Sequence, residues 1–145
     1  MANSDHFGCV YYDPEFRFKD GKVKEKRFVI LCSSPMTNSE VVVVRTTSQE
    51  RGSREYGCQL NDRYQVFFMP LESEKFPKDT WIMLDYAMEY DAANLGTKLV
   101  RQKAKLGSIA YRDLLACASQ AKDIERDIRN AISQRHISEC GTQIS

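Results

Sequence analysis

The segment Val41-Val42-Val43-Val44 constrains the fold of this chain more than any other. Consecutive β-branched side chains lose rotamer freedom in a helix and pack well on a pleated surface. It predicts a buried strand. A second apolar run, Phe28-Val29-Ile30-Leu31-Cys32, is continuous and closed by Ser33-Ser34-Pro35, so it reads as another central strand. Further strands are expected at Cys9-Val10-Tyr11-Tyr12, ended by Asp13-Pro14, and at Phe16 and Phe18, which alternate with Arg17 and Lys19. Others are expected at 56–60, at 64–69, stopped by Pro70, and at 80–85. Asp20-Gly21 marks a hairpin turn, and the polar stretch 50–55 reads as a mobile loop. Many short strands with regular turns predict a barrel or sandwich.

From Ser108 onward the period changes. Leu114, Cys117, Ala121, Ile124, Ile128 and Ala131 fall at steps of three and four, which places them on one stripe of a helix. Ser108 is the expected N-cap and Gly141 lies past the expected end. The reading is therefore a mainly β fold with C-terminal α: a single domain over 1–136, a small β-barrel plus one long amphipathic helix over about 108–136, and a flexible tail at 137–145.

The chain has 145 residues, 42% hydrophobic and 28% charged, which suits one packed domain and argues against disorder. No apolar run is long enough for a membrane span, and the first residues lack a signal-peptide pattern, so a cytoplasmic location is the default expectation. Five cysteines occur without a CxxC pair, so most of them read as small buried apolar residues, and neither a disulfide framework nor a zinc site is expected. His6 and His136 stand at opposite ends, which disfavours a Ser-His-Asp triad, and no phosphate-loop, dinucleotide or zinc-protease motif is present. No cofactor and no metal are expected. A net charge of +1 excludes strong whole-molecule attraction to polyanions. Two clusters are locally basic: Arg17, Lys19, Lys22, Lys24, Lys26 and Arg27, and later Lys98, Arg101, Lys103 and Lys105.

One constellation can carry chemistry. Lys26 and Arg27 immediately precede the strand 28–32, and Thr46, Thr47 and Ser48 follow the valine run. If those strands are neighbours, cations and hydroxyls share one rim of the sheet. RNA can be cleaved there without a metal, because its own 2′-hydroxyl attacks the phosphate. The protein supplies cations for the phosphorane charge and donors that hold the phosphate in line. The plainer alternative is a polar strand end.

At these residues the sequence resembles the MazF/PemK-like endoribonuclease toxins of bacterial toxin–antitoxin systems. Gly8-Cys9-Val10 followed by Asp13-Pro14, the run Lys26-Arg27-Phe28-Val29-Ile30-Leu31-Cys32-Ser33, the tract 41–44 running into Arg45-Thr46-Thr47-Ser48-Gln49, the strand 80–85 and Leu106-Gly107-Ser108-Ile109 are similar to the family's successive segments. The resemblance implies an SH3-like barrel with a C-terminal helix and a cytoplasmic homodimeric hydrolase. It also implies cleavage of single-stranded RNA to a 2′,3′-cyclic phosphate and a 5′-hydroxyl, and an antitoxin protein that blocks the site. It assigns catalysis to Lys26 or Arg27 with Thr46 and Thr47. Lys26 stands where the family has arginine, and Arg27 where it has proline. Lysine cannot grip phosphate bidentately as arginine does. Arg17, Lys19, Lys22, Lys24, Arg45 and Gln49 are the expected RNA contacts, with Tyr56 as a base-stacking group; Phe16 could stack likewise, but core packing is its first expected use. The alternatives are a non-catalytic barrel of the same kind, binding protein or nucleic acid, and an unrelated small barrel adaptor that assembles through its helix.

Overall fold

The computed structural model describes residues 5–18, 20–70, 76–85, 87–97 and 99–144. Its centre is the antiparallel pair β2 (Val23–Ser33) and β3 (Glu40–Thr47), with Phe28 opposite Arg45, Val29 opposite Val44 and Ile30 opposite Val43. Strand alternation divides the two apolar runs between opposite faces. Val29, Leu31, Val42 and Val44 enter one core, while Phe28, Ile30, Val41 and Val43 enter another with Tyr11, Phe16 and Tyr90. Both faces are covered, which is why the runs are continuous rather than alternating. Each such fully buried large side chain contributes roughly 1.5–3 kcal/mol of transfer free energy.

The remaining strands are β1 (Cys9–Arg17), β4 (Gly57–Leu60), β5 (Gln65–Met69), β6 (Thr80–Met83), β7 (Met88–Asp91) and β8 (Arg101–Lys105). Among the described residues they form one eight-stranded antiparallel sheet in the order β4-β5-β6-β3-β2-β1-β8. β7 pairs with the first half of β3, from Glu40 to Val43, and β6 with its last two residues, Thr46 and Thr47. β4 and β8 do not pair with each other, so the expected barrel is not closed. The ends of the sheet are used otherwise: β4 is bonded covalently to a helix, and β8 presents exposed Arg101, Gln102, Lys103 and Lys105.

Asp13-Pro14 does not end the first strand. β1 runs on to Arg17, because one extra residue is inserted where Asp13 pairs with Lys26 and Phe16 with Lys24. Proline has no N–H to give a ladder, and a bulge is where a strand tolerates that loss. The Glu15 N–H is taken instead by Asp13 Oδ1 at 2.8 Å, and buried Asp13 also accepts the Tyr90 hydroxyl at 2.6 Å. The turn at Asp20-Gly21 joins β1 to β2 as expected, with Gly21 at φ +88°.

The single long helix is two helices, α1 (Ser108–Ala118) and α2 (Arg126–Ile144). The predicted stripe is nonetheless the buried one: Leu114, Cys117, Ala121, Ile124 and Ile128 all lie in the main core. The turn between the helices preserves the three- and four-residue steps, through hydrogen bonds from Ala121 N to Ala118 O and from Ile124 N to Ala121 O. Periodicity therefore looks the same across the break. Gly107, not Ser108, is the N-cap of α1, and α2 continues through Gly141 and into the segment expected as a tail. The Tyr111 hydroxyl fixes α1 to the sheet by donating to Leu31 O at 2.6 Å. Gly8 has φ +80°, and a Cβ there would stand 3.2 Å from the Tyr111 ring.

One disulfide forms where none is expected. Exposed Cys58 of β4 is disulfide-bonded to buried Cys117 of α1, across a separation of 59 residues. Cys9 and Cys32 are buried free thiols, as expected, and Cys140 is half-buried. Burial pushes the Cys32 thiol up to about 12. The stretch expected as a mobile loop is tied down: the Gln59 carboxamide accepts from Ser53 N at 2.9 Å and donates to Ser53 O and Glu55 O, while Trp81 Nε1 donates to Ser53 O at 3.2 Å.

Candidate functional site

At the ends of β2 and β3 the sheet borders an open cleft of about 620 Å³. It is lined by Lys24, Glu25, Lys26 and Arg27 from β2, and by Thr46 and Thr47 from β3 with Ser48 and Gln49 after it. Tyr12 of β1 lies on one side and Pro77, Lys78 and Thr80 on the other. The register explains the meeting. Tyr12 pairs with Arg27, and the step beyond Phe28–Arg45 sets Arg27 beside Thr46, which pairs with Ile82. The two predicted clusters are therefore cross-strand neighbours, within the reach that makes such side-chain pairs interact.

Alternation refines this. Arg27 points to the face of Val29 with Tyr12, Glu25 and Thr46, whereas Lys26 and Thr47 belong to the face of Phe28. Both faces meet at the rim of the cleft. On the first, the Tyr12 hydroxyl donates to Glu25 Oε2 at 2.8 Å, which fixes a carboxylate beside Arg27. This bond is also the leading cause that raises the Tyr12 pKa. Thr46 is buried and its hydroxyl leans toward Arg27 O, at 3.4 Å. On the second face, Thr47 Oγ1 accepts the Gln49 N–H at 3.1 Å, which leaves the Thr47 O–H proton as a donor toward the cleft. Lys26 is held below the ordinary lysine value, first by burial and then by repulsion from Arg45, Arg51 and Lys24.

Of the expected site residues, Lys24, Lys26, Arg27, Thr46, Thr47 and Gln49 line the cleft. Arg45 borders the Lys26 cluster but packs over the Phe18 ring and pairs with Asp85 at 3.7 Å. Arg17 lies at the hairpin, where it donates to Gly21 O, and Lys22 is exposed in the same turn. Lys19 lies outside the described residues, as does Lys98. Phe16 is a core residue, stacked on Tyr90 and packed against Phe18 and Phe28. Tyr56 is not at the cleft. It sits edge-on to Phe67, donates to Asp113 Oδ2 at 3.0 Å and lines a separate 300 Å³ pocket beside the disulfide.

Tyr12, Glu25, Lys78 and Thr80 also line the cleft, though they are not among the residues expected there from the sequence. Glu25 stood in view inside the basic run. Tyr12 and Thr80 join the site only through pairing with distant strands, which no local pattern signals. Among the described residues no group of three or more His, Cys, Asp or Glu is placed to hold a metal ion. No described helix is long and apolar enough to cross a membrane. No protein-family model matches the chain, and no curated protein does.

Proposed function

We propose that this protein is a metal-independent endoribonuclease of the MazF/PemK-like kind, cleaving single-stranded RNA in the cleft at the ends of β2 and β3. One observation carries the reading: Arg27, Lys26, Thr46 and Thr47 line a single cleft. The Glu25 carboxylate, steadied by Tyr12, takes the proton from the 2′-hydroxyl. The 2′-oxygen then bonds to phosphorus as the bond to the 5′-oxygen breaks. Arg27 and Lys24 stabilise the phosphorane charge and Thr47 donates to a phosphate oxygen. Lys26, whose surroundings disfavour its charge, gives a proton to the departing 5′-oxygen. The products are a 2′,3′-cyclic phosphate and a 5′-hydroxyl. The bent, bulged sheet is read as an opened form of the SH3-like barrel. A homodimer, restrained by an antitoxin that covers the basic cleft, belongs to the same proposal.

The experiment is incubation of purified protein with single-stranded RNA in EDTA, followed by analysis of the ends. Cyclic phosphate and 5′-hydroxyl termini are expected, and Arg27→Ala is expected to form them roughly 10²–10³ times more slowly. A second reading is favoured by Thr46, whose burial and lean toward a backbone carbonyl suit a structural role. Under it the cleft binds RNA or protein without cutting. RNA that is retained intact would establish binding alone.

A further inference from the structure

The cluster Arg101, Lys103 and Lys105 forms β8, which pairs with β1. Lys105 pairs with Cys9, Ala104 with Val10, Gln102 with Tyr11 and Arg101 with Tyr12, so Lys103 is the extra residue of a bulge. Without the bulge, alternation from Ala104 would turn Gln102 to the face of Tyr12. With it, Arg101 takes that place, and Lys103 Nζ stands 5.7 Å from the centre of the Tyr12 ring. Bulges re-aim side chains, and here the shift adds two cations to the face that carries Arg27.

Arg101, Tyr12, Arg27 and Thr46 thus form one row across β8, β1, β2 and β3. Two strand spacings, roughly 10 Å, separate Arg101 from Arg27. We infer that β8 is a second phosphate-binding station, through which Arg101 and Lys103 hold the backbone of a single-stranded RNA whose neighbouring phosphate lies in the cleft. The inference rests on the reading of that cleft as an RNA site. Exposed charges also keep an edge strand from pairing with other chains. That purpose is served by charges on either face, and it does not explain a bulge that aims them toward Tyr12.

Full-length protein is titrated with a 12-nucleotide 2′-O-methyl RNA, which lacks the attacking hydroxyl, and binding is followed by fluorescence anisotropy between 0.05 and 0.3 M salt. Each lost phosphate contact lowers the slope of log K against log salt by about 0.7. The double variant Arg101→Gln/Lys103→Gln is expected to lose about 1.4 of slope and to bind about 25-fold more weakly at 0.1 M salt. Lys103→Gln alone is expected to lose about half of that slope. Lys122→Gln, in the turn between the helices, is the control and is expected to keep the native slope. If the double variant keeps the native slope while Arg27→Gln weakens binding, the β8 station is overturned and the cleft stands. If Arg27→Gln also changes nothing, the cleft reading falls with it.

Discussion

A single cross-strand row, Cys58-Phe67-Ile82-Thr46-Arg27-Tyr12, crosses the sheet from β4 to β1, and its two halves differ in chemistry. The β4 half is roofed by α1 and stapled through Cys117. The β2 half opens into a cationic cleft. The same backbone geometry serves both, so the strand ladder sets position and the layer above each half sets use. Where a helix covers the row, its residues are apolar or covalently bonded. Where no described helix covers it, Arg27 and Tyr12 stay partly exposed and can meet a solute without losing hydration in the free protein, although Thr46 between the halves is buried.

Together with the proposed function, the contrast predicts that damage on the β4 half reads out as stability, and damage on the β2 half as loss of the proposed RNA cleavage. The largest effect is expected from Cys58→Ser. Releasing a 59-residue closed loop costs about 4 kcal/mol on the chain-entropy account. That corresponds to a melting temperature lower by roughly 10 °C, measured by calorimetry, with cleavage per folded molecule preserved. A Cys58→Ser protein that melts like the native one would remove the staple from the comparison. Next, Arg27→Ala is expected to slow cleavage by roughly 10²–10³, the usual loss when one preorganised charge donor is removed, with melting little changed. A large stability loss with intact cleavage would invert the contrast.

A smaller effect is expected from Gln59→Ala on the stapled half. It breaks the bonds to Ser53 and Glu55, costs about 1 kcal/mol and speeds proteolysis near residues 50–55. The finest test concerns Lys26. Because its surroundings lower its pKa from 10.5, its proton is lost as pH rises sooner than from an ordinary lysine. The kcat/KM for cleavage is expected to fall on the alkaline side below pH 10.5, and Lys26→Arg to abolish that fall. The same alkaline limb in both proteins would take Lys26 out of the acid role.

The central strands were legible because Phe28-Val29-Ile30-Leu31-Cys32 and the valine tract are apolar on both faces, a pattern that burial on both sides imposes directly. The cleft was legible to the same extent, since Lys26, Arg27, Thr46 and Thr47 flank those strands in sequence. Pro14 misled because a bulge, set by the partner strand, accommodates it. The helical stripe is legible as one apolar face, but the break between α1 and α2 is not, because a tight turn keeps the same spacing as a helix. The core position of Phe16 follows from its alternation with Arg17 and Lys19, whereas nothing local to Tyr56 shows that it faces α1 rather than the cleft.

Local residue chemistry alone determined which segments had to be extended, which stripe had to be buried and which charges had to remain near water, since these follow from side-chain shape and hydration. Tertiary structure decided the rest: that Cys58 meets Cys117, that Tyr12 and Arg101 align with Arg27, and that the sheet stays open. Those outcomes depend on register between strands distant in the chain, where one inserted residue changes which side chains share a face.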